Sequence, residues 1–144
     1  MANRIQLDGQ DGDYKYEERI AAAEVYPGHI LEVDSAGKVK KHATAGGWGQ
    51  QMVAVEDALQ GNLVSTAYAA AALVRIHIQR PGARFQGRLK AGEDISIGDP
   101  LISDGAGCLI AETGTVQRIV GWAQEALDLS GSSAVETLID VRAD

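Results

Sequence analysis

The chain offers no disulfide framework: Cys108 is its single cysteine among 144 residues, and one thiol cannot form an intramolecular bridge. Aromatic residues make up 5%, so Ala, Val, Ile and Leu must fill any core. Long apolar runs are also missing. The longest uncharged one, Ala67 to Val74, stops at Arg75, whereas a spanning helix needs about 20 residues. The opening Met-Ala-Asn-Arg-Ile-Gln-Leu-Asp has no apolar stretch of signal-peptide length, and the chain is expected to be made and used without export. Cations are the minority charge, 13 against 20 acidic residues, for a net charge of −7. That balance argues against nucleic-acid binding, whose affinity comes from neutralising phosphates, and against adhesion to an anionic membrane. What is abundant is glycine, 17 residues, within an ordinary 45% hydrophobic content. A chain this long can bury roughly 68–70% of its unfolded surface, so one domain, or one domain plus an arm, needs no metal staple.

Residues 1–24 read apart from the rest. Asp8-Gly9-Gln10-Asp11-Gly12-Asp13 is polar and glycine-bearing, and its apolar neighbours Ile5, Leu7, Tyr14 and Tyr16 are isolated. This composition predicts an extended arm that a partner orders, with those four side chains entering the partner's grooves. The alternative is an edge strand over Tyr14–Ile20. From Val25 onward, short apolar pieces alternate with Gly, Asp, Ser and Pro, as in an all-β sandwich or barrel. The predicted strands are 30–33, 39–41, 51–55, 74–78, 95–97, 101–103, 109–111, 119–122 and 138–141. Thr66–Leu73, with four successive alanines, is the one segment of helical propensity.

The sequence repeats itself. Gly28-x-x-Leu31-x-x-Asp34-x-x-Gly37-x-Val39 returns as Gly98-x-x-Leu101-x-x-Asp104-x-x-Gly107-x-Leu109 at one constant offset. A second match, Val53–Leu59 with Gly121–Leu127, follows with an offset two residues shorter. Asp34-Ser35-Ala36-Gly37 and Asp104-Gly105-Ala106-Gly107 carry hairpin-turn chemistry: Asp bonds the backbone ahead of it and Gly accepts a positive φ. The body is therefore read as two related β modules, 25–80 and 81–144, joined near Pro81-Gly82.

No residue set reads as catalytic, cofactor-binding or metal-binding. His29, His42 and His77 have no Cys or acidic partner at ligand spacing. His77 alternates outward on a strand, and Cys108 reads as a structural thiol with no base beside it. Asp8–Asp13 lacks the glutamate a calcium loop needs at its twelfth position. Glu56-Asp57 falls on opposite sides of a strand. The glycine clusters 46–49 and 105–107 lack the Lys-Ser/Thr of a phosphate loop. One charge feature stands out. Between Asp57 and Glu93 there is no acidic residue, while Arg75, Arg80, Arg84, Arg88 and Lys90 fall in that gap. It reads either as a solvated face or as a docking surface for an acidic partner, centred on Arg80, Arg84 and Arg88.

Val25-x-x-Gly28-x-x-Leu31-x-x-Asp34-x-x-Gly37-Lys38-Val39 with Val53–Ala58 resembles the first half of the capsid cement, or head decoration, proteins of tailed bacteriophages. Arg80–Phe85 followed by Leu89–Leu109 is similar to their second half. His29 stands where Asp99 matches the pattern, so the first turn departs from it. The resemblance covers 25–144. It implies a small β-tulip or β-barrel protein, commonly a homotrimer, that binds the major capsid protein on the outside of the head and cements capsomers. It implies synthesis in the host cytoplasm, no catalysis and no cofactor. Two alternatives stand beside it: a β-clip-type oligomeric enzyme or carrier with an inter-subunit site, and a phage tail or baseplate accessory module.

Overall fold

The computed structural model describes residues 3–7, 14–47, 49–114 and 117–144, with Tyr14 described by its backbone alone. The protein is all-β. Twelve strands run in the order β1 (Tyr14–Ile20), β2 (Ile30–Val33), β3 (Val39–Lys41), β4 (Met52–Ala54), β5 (Leu73–Gln79), β6 (Arg84–Leu89), β7 (Asp94–Ile95), β8 (Pro100–Ser103), β9 (Leu109–Ala111), β10 (Gly121–Ala123), β11 (Leu127–Asp128) and β12 (Thr137–Ala143). The alanine-rich Thr66–Leu73 is not helical. The described helix is a single 3₁₀ turn, Ala58–Gln60. Tyr68 explains the override: its hydroxyl donates to Val55 O at 2.6 Å and its backbone pairs with Val25, which draws the segment into the sheet.

The duplication is larger than the sequence match. The first module is a five-stranded sheet ordered β1-β5-β4-β2-β3, and the second a closed barrel ordered β10-β12-β6-β9-β8. Read from β6, the barrel runs β6-β12-β10-β8-β9, which is the same order. The registers agree pair by pair. Leu31↔Lys41 and Val33↔Val39 answer Leu101↔Ala111 and Ser103↔Leu109, and Glu17↔Ile76 answers Phe85↔Val141. The barrel closes through a parallel pair, Leu89↔Leu109, and the first module carries the same closure as a parallel bridge, Ala21↔Val39. Even β7–β11, pairing Ile95 with Leu127, has its counterpart in the bridge Val25↔Tyr68.

Two sequence expectations change. β1 is the counterpart of β6, so the repeat starts at Tyr14, and the boundary drawn at residue 24 falls inside the first module. Residues 14–20 form the edge strand weighed above, paired over seven positions with β5. The composition hid it because Lys15, Glu17 and Arg19, which share a face with Ile78, Ile76 and Val74, are charged where the second module has apolar Phe85. The second match also shifts by one: Ala54 O accepts Gly28 N–H and Ala123 O accepts Gly98 N–H, each at 2.8 Å, so Ala54 corresponds to Ala123.

Each module has its own core at matching positions. Leu31, Val39, Ala54, Val74 and Ile76 fill the first, and Leu101, Leu109, Ala123, Ile139 and Val141 fill the second. Phe85 and Leu89 stand where the first module has Glu17 and Ala21, so the second interior is the larger. Ile5, Ile30, Val53, Val55 and Val64 extend the second core to the joint between modules.

Candidate functional site

The residues singled out for partner contact separate into buried and exposed groups. Ile5 is fully buried: its N–H donates to Glu56 Oε2 at 2.9 Å and its carbonyl accepts Gln86 N–H at 2.7 Å. Leu7 N–H donates to Arg84 O at 3.0 Å, so 5–7 lies along the outer edge of β6. Gln6 crosses between modules, its side chain taking Gln79 Nε2 at 2.9 Å, meeting His77 Nδ1 at 3.1 Å and donating to Arg84 O. His77 is accordingly half-buried rather than solvated, and burial followed by the nearby Arg75 cation lowers its pKa to about 4. The Tyr14 side chain lies outside what the structure describes. Tyr16 is exposed, with Arg75 packed 5.1 Å over its ring and its hydroxyl donating to Glu18.

The basic stretch is likewise divided. Arg80 is exposed at the module junction. Arg84 pairs with Asp140 across β6 and β12. Arg88 is a strut between modules, its side chain 11% exposed. Its Nε donates to Pro27 O at 2.7 Å, Nη2 to Val64 O at 3.0 Å and Nη1 to Glu136 at 3.1 Å, while the guanidinium lies over the Tyr26 ring. A group so committed has no surface to give a partner. The same holds for Ile5.

Beside Arg88 the fold assembles a cluster that sequence spacing could not reveal. His29, Cys108 and Glu136 come from three separate segments, and their ligand-capable atoms lie within 4.8 Å of one another. His29 Nδ1 accepts Tyr26 N–H at 3.0 Å, which places the ring proton of the neutral imidazole on Nε2. Nε2 lies 3.3 Å from Glu136 Oε1 without an aligned hydrogen bond. Burial lowers the His29 pKa to about 4, against the opposing pull of Glu136. Cys108 Sγ donates to Glu136 Oε2 at 3.1 Å, and burial followed by that bond pushes the thiol up to about 12. Glu136 is lowered overall: burial raises it, but the Cys108 bond and the charges of His29 and Arg88 outweigh that. A protonated thiol, an imidazole presenting N–H, and a carboxylate already held by Arg88 form a polar weld between modules. A cation bound here would have to displace the Cys108 thiol proton and the His29 Nε2 proton.

A second buried pair, His42 Nδ1 with Ser103 Oγ at 2.7 Å, also joins the two modules. Ser103 therefore stands beside a base, and His42 Nε2 lies 3.8 Å from Glu32 Oε2, but Ser103 and His42 are both buried.

No protein-family model and no curated protein matches the chain. Its fold is similar to a solved structure, the N base of head fiber gp8.5 in bacteriophage phi29. The TM-score is 0.60 at 13% identity, over 91% of this chain and 94% of that one.

Proposed function

We propose that this protein is a structural component of a bacteriophage head that binds the outer surface of the capsid and cements capsomers. The observation that carries the reading is the fold, which is similar over nearly the whole length of both chains to a protein named as part of a phage head. The repeat motifs support it independently, since they resemble the two halves of head decoration proteins. In this reading the partner is the major capsid protein, the chain acts as a homotrimer on the virion exterior after synthesis in the host cytoplasm, and no catalysis is involved. Among the charges first considered for docking, Arg80 is the one with an exposed side chain and no structural duty assigned above, while Tyr16 lies within β1 and Arg84 opens β6.

Sedimenting purified protein with expanded, undecorated capsids tests the reading. It expects saturable stoichiometric pelleting and a shell that melts at higher temperature, because a ligand of the assembled state stabilises it by mass action. Arg80→Glu should slow that association. Protein left in the supernatant, or shells with identical melting, would refute it.

A further inference from the structure

The internal joint is made of one turn of the first module and one sheet face of the second. Gly28 O accepts Arg88 N–H at 3.1 Å, and Pro27 beside it is buried. The approach is so close that a Cβ on Gly28 would stand 2.5 Å from Leu138 Cδ2, 3.2 Å from Arg88 Cγ and 3.3 Å from Gln86 O.

The duplication gives both halves of this joint a counterpart elsewhere on the molecule. Pro27-Gly28 corresponds to Ile97-Gly98, with φ of +90° at Gly28 and +91° at Gly98. Ile20↔Leu73 on β1 and β5 answers Arg88↔Leu138 on β6 and β12. Both counterparts are open. A Cβ on Gly98 would meet nothing within 4 Å, and Ile97, Ile20 and Leu73 are 70%, 41% and 49% exposed. A third pair behaves alike. Gly107 is packed against the Lys41 side chain, whereas Gly37, its counterpart, has nothing within 4 Å.

The chemistry at these open positions is also directional. Ile20 stands where the internal joint has Arg88, and Ile97 where it has Pro27. Each open half thus carries an exposed isoleucine, and Leu73 keeps the apolar character of Leu138. Solvent gives no reason to hold three large apolar side chains at these equivalent sites; a matching surface does. Ile20 alternates with Ala21, whose N–H bonds Ala72 O, so the Ile20 N–H faces away from β5, as the Arg88 N–H faces away from β12.

We propose that the Ile97-Gly98 turn of one chain docks on the β1–β5 face of a second copy of this chain, repeating the internal joint between molecules. Gly98 O takes the Ile20 N–H, and Ile97 packs on Ile20 and Leu73. The contact is heterologous: each chain offers one turn and one face, so association runs head to tail until it closes as a ring or continues as a filament. For a homotrimer the closed form is a ring of six modules. The proposal needs no capsid, and its test is made in the absence of one.

Sedimentation velocity on the purified full chain provides that test, with Ile97→Asp removing the turn and Leu73→Asp the face. The wild type is expected to sediment as an oligomer and each variant as a monomer with unchanged β-sheet circular dichroism. Should Leu73→Asp lose that signal, Ile20→Asp replaces it. An equimolar mixture of the turn and face variants retains one intact joint, so it should give a heterodimer and nothing larger. A monomeric wild type, variants that associate like the wild type, or a mixture that stays monomeric would each overturn the proposal.

Discussion

His29 occupies a position where the repeat pattern asks for aspartate, and the fold shows why the exchange is tolerated. In the second module Asp99 Oδ2 accepts Ser96 N–H at 2.8 Å; in the first, His29 Nδ1 accepts Tyr26 N–H at 3.0 Å. The acceptor is kept while its ionisation changes. Folded His29 and His77 resist protonation down to about pH 4, whereas an unfolded histidine takes up its proton near pH 6.5. Between those values the unfolded chain binds more protons, so stability falls as pH drops from about 6.5 to 4. Urea midpoints at neutral and mildly acidic pH should therefore differ. His29→Asn, which preserves an acceptor for Tyr26 N–H, should reduce that difference, and should destabilise less than His29→Ala. An unchanged pH slope in His29→Asn would mean that His29 titrates normally in the fold.

At the scale of elements, the paired turns offer an internal control. Both glycines have strongly positive φ, which costs a non-glycine residue about 1–2 kcal/mol. Only Gly28 is also crowded, and overpacking adds about 1–3 kcal/mol. Gly28→Ala should thus unfold at lower denaturant than Gly98→Ala, and equal midpoints would show that the joint around Leu138 gives way freely. The hairpins β2–β3 and β8–β9 were legible because both signals coincide there. Asp34 Oδ1 and Asp104 Oδ1 each accept two backbone N–H groups ahead of them, and apolar residues flank the turns. β6 was missed because Gln86 and Gly87 interrupt its apolar pattern; Gly87 leaves room for Leu109, whose Cδ1 would have to shift from a Cβ placed 2.5 Å away. β1 was left undecided because its register is held by backbone pairing while its side chains carry charge.

For the whole molecule, the sequence disclosed a duplication but not the way its halves meet. The joint is made by His29, Cys108, Glu136, Arg88, His42 and Ser103, residues whose partners lie far away along the chain, and no local periodicity encodes such pairs. The basic stretch is divided for a related reason. Charge density along a chain does not say which cations are already spent, and Arg84 and Arg88 are held by Asp140 and Glu136. The isolated apolar residues of the N-terminal segment misled in the opposite sense: Ile5 has little apolar sequence around it yet lies in the second core.

The seating of 5–7 across both modules bears on the rate at which the protein comes apart. The hydrogen bonds described above for this strap join the start of the chain to residues beyond position 55, and such long loops close late in folding because their entropy is lost before contacts repay it. Interactions absent from the folding transition state act on unfolding alone. Deleting residues 1–7 should accordingly leave the refolding limb of a chevron plot nearly in place and raise the unfolding limb. A slowed refolding limb would put the strap in the nucleus instead. Seated in this way, Ile5 acts as a latch beside the joint that Arg88, His42 and Ser103 make, bonded to Glu56 of the first module and Gln86 of the second.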